Sequence, residues 1–379
     1  MESNFLGSLL HSKKRIVILA TGLVSYGPLV QGLIIAADIC SCCNAQKVEL
    51  EIIARKSFFY DFERFYGQHP PVFRQTSSAF LDRIFSFLPL RLFFTSIIIP
   101  LARASCTLVY LDDTGSLVPW APSHSLMHSP ISVYNYNRLR AAQVEIGFVR
   151  YVLQKLYLLL VAHLGRSSFA TQSTYVAAAL STNLFVASAR ICCINTELIA
   201  RNWHPFLGRS IQTQTPPHEK NPAPFSVRSV LSSVPAIDLL NQAGRNGVLC
   251  CCSPRTHKNP YFILDVALRN PSLNFFCTLP VAFFSLRILP RNLVMLGTLP
   301  HGEVLDFMAH PAILFSFFPS LMETYGYPVL ESVLLGKPCL IPREQFFDVH
   351  NSSLVYRYSP GSVSDASRVI EQLVLKESV

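Results

Sequence analysis

Two glutamates separated by seven residues are the side chains of this sequence best suited to chemistry. Glu323 and Glu331 lie in the segment 319–342, PSLMETYGYPVLESVLLGKPCLIP. Pro328 suits the first position of a helix, where the missing N–H costs nothing. We therefore expect Glu323 in a loop and Glu331 in the first turn of a helix. A helix N-terminus attracts anions such as a pyrophosphate, and a carboxylate there can accept hydrogen bonds from two vicinal hydroxyls. The alternative is a helix with ordinary capping acids.

Alternating apolar runs and helical patterns must position these acids. The runs that predict strands are 14–20, 48–54, 106–111 and 168–173 in the first half, and 247–252, 274–279, 292–296, 313–318 and 338–341 in the second. A long helical pattern covers 136–164, and the segment 112–132, rich in Pro, Ser and His, is expected to be a loop. Strands that alternate with helices indicate parallel sheets covered by helices on both faces. The fold class is therefore α/β.

A proline-rich segment divides the two alternating sets. Five prolines fall within 205–225, a composition typical of linkers. We predict an N-terminal Rossmann-like domain at 1–205, a linker at 206–230 and a C-terminal Rossmann-like domain at 231–379. The two domains are expected to face each other across a cleft.

The spacing of the two acids and its surroundings resemble a known family. Glu323 and Glu331, with Gly-x-Pro between them and again after them, resemble the E-x7-E signature of retaining GT-B glycosyltransferases of the family 4 type. The segment 292–320 resembles the strands and glycine loop that lead into that family's donor site. The loop 253–260, SPRTHKNP, resembles its basic donor-phosphate loop, and 358–361 followed by a helix resembles its tail.

The resemblance implies a role for each matching residue of the C-terminal half. Glu331 would bind the nucleotide ribose and Glu323 the donor sugar or its phosphate edge. Lys258 would pair with the pyrophosphate and stabilise the leaving nucleotide diphosphate, with Arg255 as its partner. The remaining substrate-binding residues would be those whose backbone contacts the transferred sugar, Thr324, Tyr325 and Gly326, and Thr298 in the base pocket.

The N-terminal half resembles the family less closely. Gly22 and Gly27 resemble its glycine loop near the donor phosphates. His124 is similar to a catalytic histidine that some members direct at the cleft, although Ser125 stands where those members carry Asn, and a solvated loop histidine is the alternative. The resemblance implies front-face displacement with retention of configuration. Because no D-x-D pair is present, we expect no metal and no cofactor beyond the nucleotide-sugar co-substrate.

Charge and hydropathy indicate a second partner. The chain of 379 residues is 50% hydrophobic and 15% charged, with a formal net charge of +9. Residues 1–200 carry +6 of that charge, which favours peripheral contact with an anionic membrane; scattered basic residues argue against nucleic acid. The segment 80–104 could lie in a membrane interface or form a buried helix or strand pair. With no secretory signal, we expect a cytoplasmic protein, at most peripheral on the cytosolic membrane face.

The cysteines of the chain occur largely in adjacent groups. Eleven cysteines, several of them adjacent, indicate buried thiols and not a disulfide framework or a zinc site.

Our first hypothesis is a glycosyltransferase acting on a glycan or lipid-linked acceptor in cell-envelope polysaccharide or glycolipid synthesis. A sugar-nucleotide epimerase or hydrolase on the same fold is the second. A degenerate, non-catalytic member that binds glycans is the third.

Overall fold

The chain divides into two compact units. The computed structural model describes residues 15–21, 23, 32–33, 35–37, 39–40, 43, 45–59, 62, 73–76, 78–103, 105–127, 133–165, 167–171, 174–182, 191–193, 246–284, 289–299, 301–348 and 350–377. Unit 1 comprises Met1–Leu139 and Ile146–Asn202, and unit 2 comprises Arg140–Glu145 and Trp203–Val379. The domain limits 1–205 and 231–379 stay a prediction, and the linker 206–230 lies outside the described residues.

Unit 1 is built on a seven-stranded parallel sheet with the order β3-β2-β1-β4-β5-β6-β7. Strands such as β1, RIVILA, are apolar on both faces, as a sheet covered on both sides requires. The strands are β1 Arg15–Ala20, β2 Glu49–Ala54, β3 Phe73–Thr76, β4 Thr107–Tyr110, β5 Ser123–Leu126, β6 Ser168–Thr171 and β7 Ile191–Cys193. The expectation that 112–132 is a loop is wrong, because β5 lies within it and pairs with β4 and β6.

Short helices connect the strands of unit 1. They are α1 Ala79–Ser86, α2 Leu88–Phe93, a π-helical turn Phe94–Ile98, α3 Ile99–Ala102, α4 Tyr136–Ala141, α5 Phe148–His163 and α6 Thr174–Ser181. The prediction of one long helix over 136–164 is wrong. Gln143 adopts a positive φ of 57°, which ends the first helix, and Gly147 caps the start of α5.

The described part of the segment 80–104 forms helices that are interrupted at Phe87 and end at Ala102, which excludes the strand pair. Ser78 accepts a hydrogen bond from the backbone N–H of Leu81 and so caps α1, whereas Pro89 stands in the first turn of α2. Among the described helices, none has by itself the length and apolar composition to cross a bilayer. Only Ala79–Ser86 and Leu88–Ala102 taken together have them, and that pair is bent by 108°.

Unit 2 holds a six-stranded parallel sheet with the order β10-β9-β8-β11-β12-β13. The strands are β8 Gly247–Cys250, β9 Asn274–Cys277, β10 Leu293–Met295, β11 Ile313–Phe317, β12 Cys339–Pro342 and β13 Val355–Tyr358. The helices are α7 Pro260–Arg269, α8 His301–Ala309, α9 Tyr327–Leu334 and α10 Val363–Glu377. The chain builds the sheet outward from β8 in one direction and from β11 in the other. The strand order therefore reverses between β8 and β11.

An apolar core holds this sheet against α7 and α10. Phe262 of α7 stacks on Tyr358 of β13 with ring centroids 5.5 Å apart, and Phe317 of β11 lies against both rings. Buried free thiols are found at Cys40, Cys43, Cys106, Cys250, Cys251, Cys252, Cys277 and Cys339. Burial raises the pKa of Cys40 and of Cys277 to about 12. These thiols thus fill space in the core instead of acting as nucleophiles.

Candidate functional site

The two loops that carry Lys258 and Glu323 leave the sheet of unit 2 at one edge. Residues 251–259 follow β8 and residues 318–326 follow β11. These strands are adjacent and parallel, so both loops emerge at their carboxyl ends. Open α/β sheets bind ligands at this edge where the strand order reverses, and the strand order of unit 2 reverses between these two strands.

The loop after β8 is held in a defined conformation. The backbone N–H of Cys252 donates to the hydroxyl of Thr278, 2.9 Å away, which ties the loop to the end of β9. Residues Thr256–Lys258 form a single 3-10 turn, and Asn259 adopts a left-handed conformation before α7 begins at Pro260. A turn bounded by such a residue and a proline fixes the position of Lys258.

Lys258 and Glu323 form an ion pair between the two loops. The ammonium of Lys258 donates to Oε1 of Glu323, and the hydroxyl of Ser320 donates to the same oxygen over 2.6 Å. The side chains retain 19% and 11% of their exposure, so the pair is largely shielded from water. The backbone N–H of Leu321 also donates to the carbonyl of His257 over 2.8 Å. The structure therefore brings together two predicted site residues that are distant in sequence.

His257 stands beside this pair as a neutral side chain. Its imidazole is buried, and burial, with the positive charge of Lys258 as a second cause, lowers its pKa to about 4. Near pH 7 the only cation of the turn Thr256–Lys258 is therefore the lysine.

Gly326 forms the entry to α9, and it corrects one expectation. With φ of 82° and ψ of 57°, Gly326 is left-handed and caps a helix that begins at Tyr327, with Pro328 still in its first turn. Glu331 is consequently the fifth helical residue and opens the second turn, so its predicted place in the first turn is wrong. The helix begins one residue earlier than Pro328 because glycine tolerates the left-handed cap.

Glu331 is held by a histidine that sequence reasoning missed. Nε2 of His301, the first residue of α8, lies 2.7 Å from Oε1 of Glu331, and both side chains are nearly buried. The two residues are 30 positions apart, and no motif links them in the sequence. A carboxylate offers about four acceptor positions, so one bond to the imidazole leaves capacity for further donors.

A second histidine supports the loop between the two acids from behind. Nε2 of His350 donates to the carbonyl of Tyr325 over 2.6 Å, and the two rings meet edge to face at 5.0 Å. Burial lowers the pKa of His350 to about 4, so the imidazole is neutral and its N–H serves as the donor. Tyr325 and Gly326 are buried, whereas Thr324 is half-buried.

Other predicted residues of unit 2 lie nearby along the chain. Arg255 is exposed and caps the 3-10 turn that carries Lys258. Thr298 is exposed in the loop after β10, three residues before His301. The roles of both residues stay predictions.

His124 is the predicted residue of unit 1 that the structure describes. It stands in strand β5 and not in a loop, and its Nδ1 lies 2.5 Å from the hydroxyl of Ser168 on β6. Burial lowers its pKa to about 4, so the imidazole is a neutral hydrogen-bonding group near pH 7. Ser125 is fully buried and, as the next residue of the strand, points to the opposite face. Gly22 and Gly27 lie outside the described residues.

No protein-family model matches this chain, and no curated protein matches it in sequence. Solved structures do match it over nearly its whole length. HepE from Anabaena, solved in complex with UDP and glucose, is 13% identical with a TM-score of 0.56, and the match covers 96% of this chain and 90% of that one.

Two further glycosyltransferase structures match equally well. Sucrose-phosphate synthase from Thermosynechococcus elongatus is 12% identical with a TM-score of 0.59, over 96% of this chain and 90% of that one. WaaG, a glycosyltransferase involved in lipopolysaccharide biosynthesis, is 11% identical with a TM-score of 0.55, over 96% and 91%. Identities this low establish the architecture alone. The chain has the α/β GT-B fold, with two Rossmann-like parallel sheets.

Proposed function

We propose that the protein is a retaining glycosyltransferase that moves a sugar from a nucleotide-sugar donor to a glycan or lipid-linked acceptor. The observation that carries the proposal is the pairing of Lys258 with Glu323 where the strand order of unit 2 reverses. Glu331 follows on the next helix, held by His301. A cation and two oriented carboxylates suit a ligand that combines a diphosphate with sugar hydroxyls.

Glu331 would accept hydrogen bonds from the ribose hydroxyls of the donor. Its bond to His301 restricts the rotation of the carboxylate, so less rotamer entropy is lost on binding. His301 is thus a positioning residue in this proposal. Glu323 would contact the transferred sugar, with its orientation fixed by Ser320 and Lys258.

Lys258 would stabilise the nucleotide diphosphate as it leaves. Negative charge grows on the bridging oxygen while the glycosidic bond breaks, and a preorganised cation lowers the energy of that transition state. Arg255, three residues earlier, would add a second positive charge. We propose that these side chains act without a metal or a further cofactor, and that the leaving phosphate oxygen takes the acceptor proton. His124 would act on the acceptor side as a neutral hydrogen-bonding group.

UDP-sugars are the donors to test first, because the HepE structure contains UDP and glucose. We further propose that the acceptor belongs to cell-envelope polysaccharide or glycolipid synthesis and that the enzyme works at the cytosolic face of a membrane. The WaaG structure, described as taking part in lipopolysaccharide biosynthesis, motivates this choice.

Donor binding is tested by thermal unfolding of the full chain with UDP-, GDP- and ADP-sugars. A ligand at about 100 times its Kd stabilises the folded state by about 2.7 kcal/mol, a readily measured rise in Tm. Glu331→Ala should weaken binding by about tenfold or more, because hydrogen bonds to a charged group contribute about 1.5–3 kcal/mol. Glu371→Gln, on the exposed face of α10, is the control and should bind as the wild type does.

Two results would contradict the proposal. If no nucleotide sugar raises the Tm, the protein does not bind such a donor. If Glu331→Ala binds the donor as tightly as the wild type does, Glu331 does not contact it. Incubation with donor alone separates the alternatives, because an epimerase or hydrolase releases product without an acceptor, whereas a transferase requires one. A non-catalytic member would turn over no donor under either condition.

A further inference from the structure

The helices of unit 1 expose apolar side chains that a water-facing surface does not normally carry. Phe80 of α1, Phe87 between α1 and α2, Phe93 of α2 and Leu101 of α3 are all about half exposed or more. Isolated exposed apolar residues are common, but several on consecutive helices usually mark an interaction site.

Helix α5 shows the same feature in a clearer form. Its exposed apolar residues include Val149, Val152, Leu153, Leu156 and Leu160; Val149, Val152 or Leu153, Leu156 and Leu160 follow one another at three or four positions and so lie on one face. Its inward face carries Lys155, whose side chain is fully buried. The other buried residues of that face, Leu158, Val161 and Ala162, are apolar, so α5 is largely apolar on both faces. A helix at the surface of a monomer in water normally carries polar residues on its outward face.

The two apolar surfaces belong to elements that touch. The hydroxyl of Ser96, in the π-helical turn after α2, lies 2.8 Å from the hydroxyl of Tyr157 on α5. The backbone N–H of Gly115 also donates to the hydroxyl of Tyr157 over 3.1 Å. The contact fixes α5 against the helical segment 79–102, so the two surfaces form one structural group.

Charge selects the partner of this surface. The sequence contains no Asp or Glu from 83 to 111 or from 146 to 196, whereas Arg83 and Arg150 are exposed among the apolar residues. Basic residues next to apolar ones suit an anionic lipid surface. A second copy of the chain fits poorly, because it would bring like charges together with only Asp82 of α1 among these helices to compensate them.

We infer that α1–α3 and α5 form a docking surface for an anionic lipid bilayer, with their exposed apolar side chains in the interface and Arg83 and Arg150 at the headgroups. In this arrangement the helices lie along the bilayer surface. This inference does not depend on the donor chemistry, because the surface belongs to unit 1 and the test contains no nucleotide.

The test measures cosedimentation of the full chain with vesicles of phosphatidylcholine, with or without about one third phosphatidylglycerol. We expect binding to the anionic vesicles and much weaker binding to the neutral ones. Leu153→Gln with Leu156→Gln should lower the partition coefficient by about tenfold or more, since insertion scales with buried apolar area. Arg83→Gln with Arg150→Gln should lower it on anionic vesicles by about fivefold per residue.

The matched control is Leu268→Gln with Leu375→Gln in unit 2. These leucines are 64% and 70% exposed, comparable to 60% and 46% for Leu153 and Leu156, so the chemical change is the same at another place. The control should bind vesicles as the wild type does, and unchanged circular dichroism of both double variants verifies folding. Three outcomes overturn the inference. The first is that the wild type does not bind anionic vesicles. The second is that the unit 2 control loses as much vesicle binding as the Leu153/Leu156 variant does. The third is that the wild type is a dimer that does not bind vesicles, whereas the Leu153/Leu156 variant is a monomer.

Discussion

Replacing Gly326 by alanine tests the geometry of the entry to α9. The residue has a φ of 82°, where an L-residue with a Cβ is strained by about 1–2 kcal/mol. The new Cβ would also lie 2.8 Å from Cε1 of Phe347, which no carbon atom tolerates without movement. Phe347 is fully buried against Phe318 and Phe346, so it has little room to shift, and overpacking of this kind costs about 1–3 kcal/mol. The total loss should be about 2–5 kcal/mol.

The control for this change is Gly336→Ala, just after α9. Its φ is also positive, at 69°, but no atom lies within 4 Å of the added Cβ, so the strain acts there without the clash. At about 2 °C per kcal/mol, differential scanning calorimetry should show a fall in Tm of about 2–4 °C for Gly336→Ala and of about 4–10 °C for Gly326→Ala. The Gly326 variant should also lose affinity for the donor. Equal falls in Tm would refute the assignment of the contact with Phe347.

Three further predictions concern buried titratable groups. His350 has a pKa of about 4 in the folded state and about 6.5 in the unfolded chain, so the unfolded chain takes up a proton first as the pH falls. The free energy of unfolding should therefore decrease as the pH is lowered from 6.5 to 4. In His350→Gln this decrease, measured by denaturation curves at a series of pH values, should be smaller by up to about 3 kcal/mol. Burial lowers the pKa of Lys155 to about 7, so the charged form of this side chain opposes folding at every pH below 10.5. Lys155→Met should raise the free energy of unfolding at pH 7 by about 1–3 kcal/mol. A lower Tm for this variant would contradict the prediction. A double-mutant cycle of Lys258→Met and Glu323→Gln should give a coupling energy of about 1–3 kcal/mol in thermal unfolding, whereas additive effects would argue against the ion pair.

Apolar runs allowed much of the fold to be predicted. The strands β1, β2, β4 and β6 and most of those in unit 2 are short runs of aliphatic or aromatic residues, because a parallel sheet covered on both faces selects them. Strand β5 escapes this rule, since its sequence SHSL is polar and it is recognised only through its pairing with β4 and β6. The break between α4 and α5 could not be predicted either. It occurs where Gln143 adopts a positive φ, and no glycine or proline at that position marks it in the sequence.

The candidate site could be predicted where neighbouring residues define it. The loop position of Glu323 and a helix start close to Pro328 follow from local turn and capping chemistry. The histidines that support Glu331 and the loop before it could not be predicted. His301 contacts Glu331, and His350 contacts Tyr325, only after separate strands have assembled. A single sequence holds no local pattern for such pairings.

The pairing of Lys258 with Glu323 has a consequence for the order in which the protein folds. The two residues are 65 positions apart, and the chain between them includes β9 and β10. Closing so long a segment costs entropy that only the completed central strands recover. The loops at the sheet edge should therefore acquire their native arrangement late. A fluctuation that detaches β11 should abolish ligand affinity while β8, β9 and β10 remain protected from hydrogen exchange.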